Sequence, residues 1–112
     1  MGNNNKAPIA PVQSNLLSIS IYNLLKAQVS LFECIKTLTG HTNSVYSIIQ
    51  LNNGMIASGS SDKTIRIWDP NQDYKCIKTL TGHTSYVISI TQLNNGMIAS
   101  GSGDKTIRIW TV

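Results

Sequence analysis

The sequence contains a tandem repeat, and this repeat constrains the fold more than any other feature. Residues Cys34–Pro70 recur 42 positions later as Cys76–Val112, and 30 of the 37 aligned residues are identical. A repeat of this length indicates an architecture built from stacked supersecondary units rather than one irregular core. Seven pairs of aligned residues differ, and we expect them to be positions that packing within a unit does not dictate. They are Asn43/Ser85, Ser44/Tyr86, Tyr46/Ile88, Ile49/Thr91, Ser61/Gly103, Asp69/Thr111 and Pro70/Val112.

The pattern within each copy predicts four antiparallel strands joined by tight turns. Short β-branched and apolar runs alternate with clusters of Gly, Asn, Asp and Ser, which is typical of strands and hairpin turns. Asn53-Gly54 predicts a two-residue hairpin turn with positive φ angles, and Ser61–Lys63 predicts a second turn in which Asp62 bonds nearby backbone. The predicted strands are Cys34–Leu38, Ser44–Leu51 (mostly buried), Met55–Ser60, Thr64–Trp68 and, where the pattern restarts, Cys76–Leu80.

The residues before the repeat are less regular. Residues 1–15 are rich in Asn and Pro and predict a disordered leader. Residues 16–33 fit two alternatives, a degenerate strand or a short helix. The strand is preferred for Leu17–Tyr22, because SISIYN resembles the later TIRIWD. Met1-Gly2 would suit lipidation, but Lys6 stands where the acceptor pattern needs Ser or Thr.

Composition limits the classes of function. The repeated part has 79 of the 112 residues, which is near the lower limit for a self-sufficient core. The formal charge of +4 is scattered rather than concentrated in a basic run, so nucleic acid is not the favoured partner. There is no apolar run long enough to span a bilayer and no secretory signal, so we expect no membrane association and a cytoplasmic location, with the nucleus possible. The two cysteines, at equivalent repeat positions, are expected to be reduced.

The repeated residues carry a specific resemblance. Gly40-His41, Ser58, Asp62 and Trp68-Asp69 are spaced as in the tryptophan–aspartate (WD) repeat. The second copy has Gly82-His83, Ser100, Asp104 and Trp110, with Thr111 in place of the second motif's Asp. The resemblance covers residues 34–112 and implies an all-β partial β-propeller of about two repeats, residues 34–75 and 76–112, with four-stranded antiparallel blades.

The resemblance also implies how the strands are divided among blades. In WD proteins the outer strand of one blade precedes the Gly-His pair, and the next three strands belong to the following blade. Ser44–Leu80 would therefore be a complete blade, Cys34–Leu38 the outer strand of an earlier blade, and Tyr86–Trp110 a blade without its outer strand. Such a chain would be an open fragment of a longer propeller or a unit that self-associates to complete one. Three or four copies would supply six or eight blades, within the roughly four to eight of closed propellers.

By the same resemblance, the Ser, His and Asp residues are structural rather than catalytic. Each repeat would hold one hydrogen-bonded tetrad, and the predicted tetrads are His41, Ser58, Asp62, Trp68 and His83, Ser100, Asp104, Trp110. A set that recurs with a Trp, and without a nucleophile-elbow motif, is not that of a hydrolase. No second ligand stands at metal-binding spacing from either histidine, so we expect no metal, no cofactor and no enzyme activity.

Residues that differ between the copies are the candidates for partner binding. Most of them follow Gly-His or precede Asp62 and Asp104, in segments that open on one face of a propeller. They predict a non-catalytic scaffold that binds a protein or peptide on this loop face; neutral drift of exposed loops is the alternative explanation. Alternative functions are a non-functional truncated fragment and a nucleic-acid-associated module. The candidate residues are Asn43, Ser44, Tyr46, Ser61, Ser85, Tyr86, Ile88 and Gly103.

Overall fold

The computed structural model describes residues 17–25 and 32–112, so the predicted leader, residues 1–15, lies outside the described residues. The chain divides into two units, Met1–Thr37 and Leu38–Val112. No helix in the described part of the chain is both long enough and apolar enough to cross a bilayer.

In the first unit, residues 17–25 are helical and exposed. The strand preferred for Leu17–Tyr22 is therefore wrong, and the helical alternative is correct for these residues. A helix satisfies its backbone hydrogen bonds within its own segment, whereas a strand needs a neighbouring strand to pair with.

The predicted strand Cys34–Leu38 is also absent, because residues 33–40 belong to no strand. Ile35 is among the most exposed apolar side chains described. The resemblance makes this segment the outer strand of a blade, and no inner strands of that blade occur among the described residues. Extended backbone without a partner strand forms no ladder of hydrogen bonds.

The second unit consists of seven strands in two antiparallel sheets. Sheet 1 has the order β1-β2-β3-β4, and sheet 2 has the order β5-β6-β7. The predicted hairpin-linked strands are confirmed to within a residue or two at their ends, apart from Cys34–Leu38. The strands are β1 (Val45–Gln50), β2 (Ile56–Ser60), β3 (Ile65–Asp69), β4 (Lys75–Leu80), β5 (Val87–Gln92), β6 (Ile98–Ser102) and β7 (Ile107–Trp110).

The turn between β1 and β2 has three residues rather than the two predicted. Gly54 N donates to Leu51 O at 2.9 Å and Leu51 N donates to Met55 O at 2.7 Å, so residues 52–54 form the loop. Only Gly54 has positive φ, at 90°. This is a type I turn followed by one left-handed residue, an arrangement in which glycine is needed at the last position only. The β2–β3 turn has the same pattern, with Lys63 N donating to Ser60 O and with Lys63 in the left-handed position at φ 75°.

The core lies between the two sheets. Sheet 1 contributes Leu51, Ala57, Ile65 and Ile67, and sheet 2 contributes Val87, Ile90 and Ile98. Close approach depends on Gly59, since a Cβ there would lie 2.8 Å from Val87 Cγ1. Two polar contacts join the sheets at their margins: Asn52 N donates to Gln92 Oε1 at 2.7 Å, and Ile90 N donates to Ser47 Oγ at 3.3 Å.

The first strand of sheet 1 is more exposed than predicted. Val45 is 51% exposed and Ile48 is 68% exposed, whereas their equivalents in sheet 2, Val87 and Ile90, are 0% and 4% exposed. The side chains are identical, so the difference comes from the neighbouring sheet, which covers β5 and not β1. The structure is thus an open stack of two sheets rather than a closed ring.

This difference in burial predicts that the same substitution destabilises the fold at one of two equivalent positions and has little effect at the other. Val87→Ala should lower the free energy of unfolding by about 2 kcal/mol, because it removes two methyl groups from a filled interface. Val45→Ala, at the same strand position but uncovered, should change it by no more than about 0.5 kcal/mol. Urea denaturation in dilute solution measures both values. Equal losses for the two variants would contradict the described packing.

Candidate functional site

One hydrogen-bonded tetrad lies in each repeat. In the first, His41 Nδ1 is 2.8 Å from Asp62 Oδ2, and His41 Nε2 is 2.7 Å from Ser58 Oγ. Trp68 Nε1 donates to Ser58 Oγ at 2.8 Å. The chain of contacts therefore runs from indole to hydroxyl to imidazole to carboxylate across a hairpin.

The second repeat reproduces the same geometry. His83 Nδ1 is 2.7 Å from Asp104 Oδ2, His83 Nε2 is 2.8 Å from Ser100 Oγ, and Trp110 Nε1 donates to Ser100 Oγ at 2.8 Å. The imidazole also meets the indole edge-on, with ring centroids 6.2 Å apart in the first tetrad and 6.0 Å apart in the second.

Local backbone structure brings these side chains together. Ser58 and Trp68 stand on the paired strands β2 and β3, and Asp62 lies in the turn between them. His41 comes from the segment before β1, where Gly40 has φ 151°. A Cβ at Gly40 would lie 3.0 Å from Arg66 Nη1 and 3.3 Å from Trp68 Cη2, so glycine lets this segment pass over the hairpin.

The donors and acceptors of each tetrad form one consistent sequence. The indole N–H donates to Ser58, the Ser58 hydroxyl donates to His41 Nε2, and His41 Nδ1–H donates to the Asp62 carboxylate. This direction uses a neutral imidazole and leaves none of these buried polar groups without a partner.

Asp62 is held as a carboxylate by donors on several sides. Burial raises its pKa, but hydrogen bonds from the Thr64 hydroxyl, from His41 and from the Thr42 and Thr64 amides outweigh burial. The pKa of Asp62 therefore lies well below its ordinary value of 3.8. The sequence interpretation omitted Thr64, although the recurrence of Asp-Lys-Thr in both copies is a signal that could have identified it.

Asp104 has the equivalent set of donors. The Thr106 hydroxyl contributes most to lowering its pKa, burial opposes this, and His83 and the Thr84 and Thr106 amides lower it further. Its pKa also lies well below 3.8. Both carboxylates stay ionised across the neutral and mildly acidic range.

The Ser–His–Asp connectivity is that of a hydrolase triad, but the surroundings do not suit catalysis. Ser58 is only 4% exposed, and its oxygen already accepts the Trp68 indole N–H. A catalytic serine must instead reach a carbonyl carbon beside an oxyanion hole. Within residues 17–25 and 32–112, no three His, Cys, Asp or Glu side chains are placed to hold a metal ion.

The candidate partner-binding residues lie at the end of the sheets where β1 and β5 begin. Tyr46 lies in β1 and Tyr86 directly precedes β5, and their rings meet edge-to-face with centroids 6.2 Å apart and planes at 74°. Tyr46 is 55% exposed and Tyr86 is 44% exposed. The sequence singled out both residues but did not predict this contact, because the relative position of two sheets is a tertiary property.

Two of the repeat differences are coupled through one contact. A Cβ at Gly103 would lie 2.6 Å from Tyr86 Cζ and 2.9 Å from Ser85 Oγ, so a larger residue at position 103 would displace the Tyr86 ring from this position. In the first repeat, Ser44 replaces the tyrosine and Ser61 replaces the glycine. Steric exclusion explains why both positions change together, and the paired change was the signal available in the sequence.

The remaining candidates form hydrogen bonds with nearby backbone or add exposed apolar surface. Asn43 Oδ1 accepts from Ser44 N at 2.7 Å, and Ser44 O accepts from Ser61 N at 2.8 Å. Ser85 O accepts from Ser102 Oγ at 3.1 Å. Ile88 occupies the same repeat position as Tyr46 and is half exposed, so Tyr46, Tyr86 and Ile88 are the exposed apolar residues among the candidates.

The tetrad predicts a measurable loss when its central hydroxyl is removed. Ser58→Ala leaves the buried indole N–H and His41 Nε2 without partners and should lower the free energy of unfolding by about 1–3 kcal/mol. Thr81→Ala is the control, because Thr81 is exposed, and its expected change is within about 0.5 kcal/mol. A Ser58→Ala loss as small as that of the control would refute a structural role for the tetrad.

The lowered pKa of Asp62 predicts a dependence of stability on pH. The carboxyl releases its proton more readily when folded, so it stabilises the fold above the unfolded value of 3.8. This contribution is lost as pH falls below 3.8 towards the folded pKa. Urea denaturation across this acid range should give a shallower pH slope for Asp62→Asn than for wild type, and parallel slopes would contradict the prediction.

Comparisons with known proteins agree with this geometry. The family model described as "WD domain, G-beta repeat" matches residues 32–69 and 74–111. The crystal structure of the WD40 β-propeller domain of Doa1 superposes with a TM-score of 0.65 at 33% sequence identity, covering 70% of this chain and 26% of that one.

Two curated proteins show the same similarity over shorter stretches. An uncharacterized WD repeat-containing protein, C126.01c of Schizosaccharomyces pombe, is 39% identical over 49 residues, which is 43% of this chain and 13% of that protein. The vegetative incompatibility protein HET-E-1 of Podospora anserina is 54% identical over 37 residues, which is 32% of this chain and 3% of that protein. This chain therefore spans a small part of the relatives' length. Since the family model covers both copies of the repeat, which form two open antiparallel sheets, the chain belongs to the WD40 repeat family of β-propeller proteins.

Proposed function

We propose that this protein is a non-catalytic interaction module whose partner is a protein or peptide segment. WD40 propeller domains generally bind protein partners and are generally non-catalytic. The observation that carries the proposal is the half-exposed Tyr46–Tyr86 pair, which spans both sheets. We name the surface formed by Ser44, Tyr46, Ser61, Tyr86, Ile88 and Gly103 the tyrosine edge.

The chemistry of the tyrosine edge suits a protein partner. Tyrosine combines a large apolar ring with a polar hydroxyl and is enriched among the residues that dominate binding energy at interfaces. The edge-to-face contact limits the motion of both rings, so less side-chain entropy is lost on binding. The flanking turns add backbone and hydroxyl groups that can hydrogen-bond to a peptide.

Charge next to the tyrosine edge favours a partner segment with acidic residues. Lys63 and Lys105 are exposed in the same two turns as Ser61 and Gly103. The carboxylates in these turns, Asp62 and Asp104, are ionised, but their side chains are only 7% exposed, so the lysines supply the exposed charge at the border of the surface. Opposite charge at an interface border speeds association and adds specificity.

The nucleic-acid alternative rests on net charge alone. The lysines and arginines of the chain are scattered. The Arg66 guanidinium contacts the protein itself, because its Nη1 donates to Cys76 Sγ and lies against Gly40. The proposed location is the cytoplasm or nucleus, in keeping with the two free cysteines, Cys34 and Cys76.

Selection of peptides from a displayed random library tests the proposed function. Tyr46→Ala and Tyr86→Ala should each weaken the selected peptides' binding by tenfold or more, as expected for hot-spot tyrosines. Tyr22→Ala, an exposed tyrosine on the helix at residues 17–25, is the matched control and should bind normally.

Two results would count against the proposal. Peptides that bind all three variants as tightly as wild type would show that the tyrosine edge is not the docking surface. Selection that yields no peptide, together with retention on a polyanion column that falls steeply with salt, would favour the nucleic-acid alternative.

A further inference from the structure

Two apolar sheet faces of the second unit are not covered by any strand of that unit, one at each end of the stack. The front face belongs to sheet 1 and forms a groove whose apolar lining is Leu38, Val45, Ile48, Ile56 and Trp68; His41 and Ser58 of the first tetrad also line it. The rear face belongs to sheet 2 and includes Ile107 and Ile109, which are 76% and 54% exposed.

The front face has an exact counterpart inside the protein's own core. Moving 42 positions along the repeat converts the apolar groove residues into Leu80, Val87, Ile90, Ile98 and Trp110. All five belong to the core between the sheets or pack against it. The groove is therefore the surface that sheet 2 uses to pack on sheet 1, presented a second time without a neighbour.

The rear face has a counterpart in the same core. Ile107 and Ile109 correspond to Ile65 and Ile67, which are 0% and 1% exposed because sheet 2 covers them. Gly101 corresponds to Gly59. A Cβ at Gly59 would collide with Val87, whereas a Cβ at Gly101 would meet nothing within 4 Å. Gly101 thus keeps the space into which an equivalent valine fits.

The polar contacts between the sheets can also be repeated. Asn52, Gln92 and Ser47, which join the sheets, correspond to Asn94, Gln50 and Ser89, and each pair is identical in residue type. Gln50 is exposed on the front side, while Asn94 and Ser89 are exposed on the rear side. Among the apolar residues that form the core or pack against it, Ile49 alone differs in its counterpart, which is Thr91.

Within the second unit, the outer edge of β7 lacks the partner strand that β3, its equivalent in sheet 1, has. In sheet 1 the equivalent strand β3 pairs with β4, with Ile65 opposite Leu80 and Trp68 opposite Cys76. Within residues 38–112, β7 has no strand on that side. The segment Cys34–Leu38 has the same sequence, CIKTL, as residues 76–80 and is not in a strand. It leads into β1 as β4 leads into β5.

We propose that the front face of a second copy of this chain packs on the rear face of the first, repeating the interface between sheets 1 and 2. Residues Cys34–Leu38 of the second copy then pair with β7 as the fourth strand of sheet 2. The two contacting surfaces differ, so the contact is head-to-tail, and each added copy exposes a new rear face. Such a series closes into a ring when three or four copies supply six or eight blades.

Sedimentation of the full 112-residue chain over a range of concentrations tests this inference. The expected result is a discrete species with three or four times the 12.2 kDa mass of one chain. A protein that stays folded and monomeric up to its solubility limit would overturn the proposal.

Two single-site variants then test the direction of the contact. Gly101→Val blocks the rear face, and the open space around Gly101 means that the chain's own fold is kept. Val45→Asp puts a charge on the front face at a half-exposed site, and Ile48→Ser is a milder front-face variant should Val45→Asp unfold. Asn95→Asp, in the exposed β5–β6 turn, is the control and should assemble as wild type does.

Mixing separates this contact from non-specific association. Each variant alone should be monomeric, with a wild-type circular dichroism spectrum. An equimolar mixture should form dimers and nothing larger, because one intact front face meets one intact rear face. A mixture of folded variants that stays monomeric, or a Gly101→Val protein that still assembles, would overturn the inference. Because Tyr46→Ala and Tyr86→Ala alter another surface, loss of peptide binding by these variants is distinguishable from failure of assembly.

Discussion

The structure depends on the burial of one apolar sheet face against the next. A single antiparallel sheet of this kind has apolar residues on both faces, so a neighbour on each side is needed to bury both faces. The contact between Gly59 and Val87 shows how closely the sheets approach, and a methyl group at Gly59 would prevent it. One such interface is made within the chain, and the same residues leave half an interface uncovered at each end.

The tetrads allow polar side chains to be buried in that stack, because their polar atoms hydrogen-bond to one another. His41, Ser58 and Asp62 tie the segment before β1 to the hairpin of β2 and β3, and the ring nitrogens of His41 both have partners within the tetrad. The same side-chain types would be chemically potent in an open cleft. Burial and the indole N–H make them structural, and the surface that we propose for a protein partner is the exposed tyrosine edge.

The strands and the tetrads were predictable from the sequence, because comparing two copies of a repeat shows which residues stay the same. Residues that did not change between copies, such as Ser58/Ser100 and Trp68/Trp110, are those that each sheet needs for itself. Exposure of β1 and the fate of Cys34–Leu38 were predicted wrongly, since both depend on a neighbouring sheet and not on local pattern. The helix at residues 17–25 shows a similar limit, because a six-residue likeness to a strand cannot outweigh the lack of a pairing partner. In the sequence, the Tyr86–Gly103 contact shows only as two positions that both differ between the copies. The steric reason for this is seen in the structure.

Amide hydrogen exchange at two protein concentrations tests most directly whether each sheet requires a neighbour on both sides. The account predicts that β3 and β5, which are covered within one chain, exchange at rates that do not depend on concentration. It predicts that amides of β1 and β7 exchange more slowly as concentration rises and their faces and edges become covered. Exchange in β1 and β7 that stays equally fast at both concentrations, with the fold intact, would contradict the account.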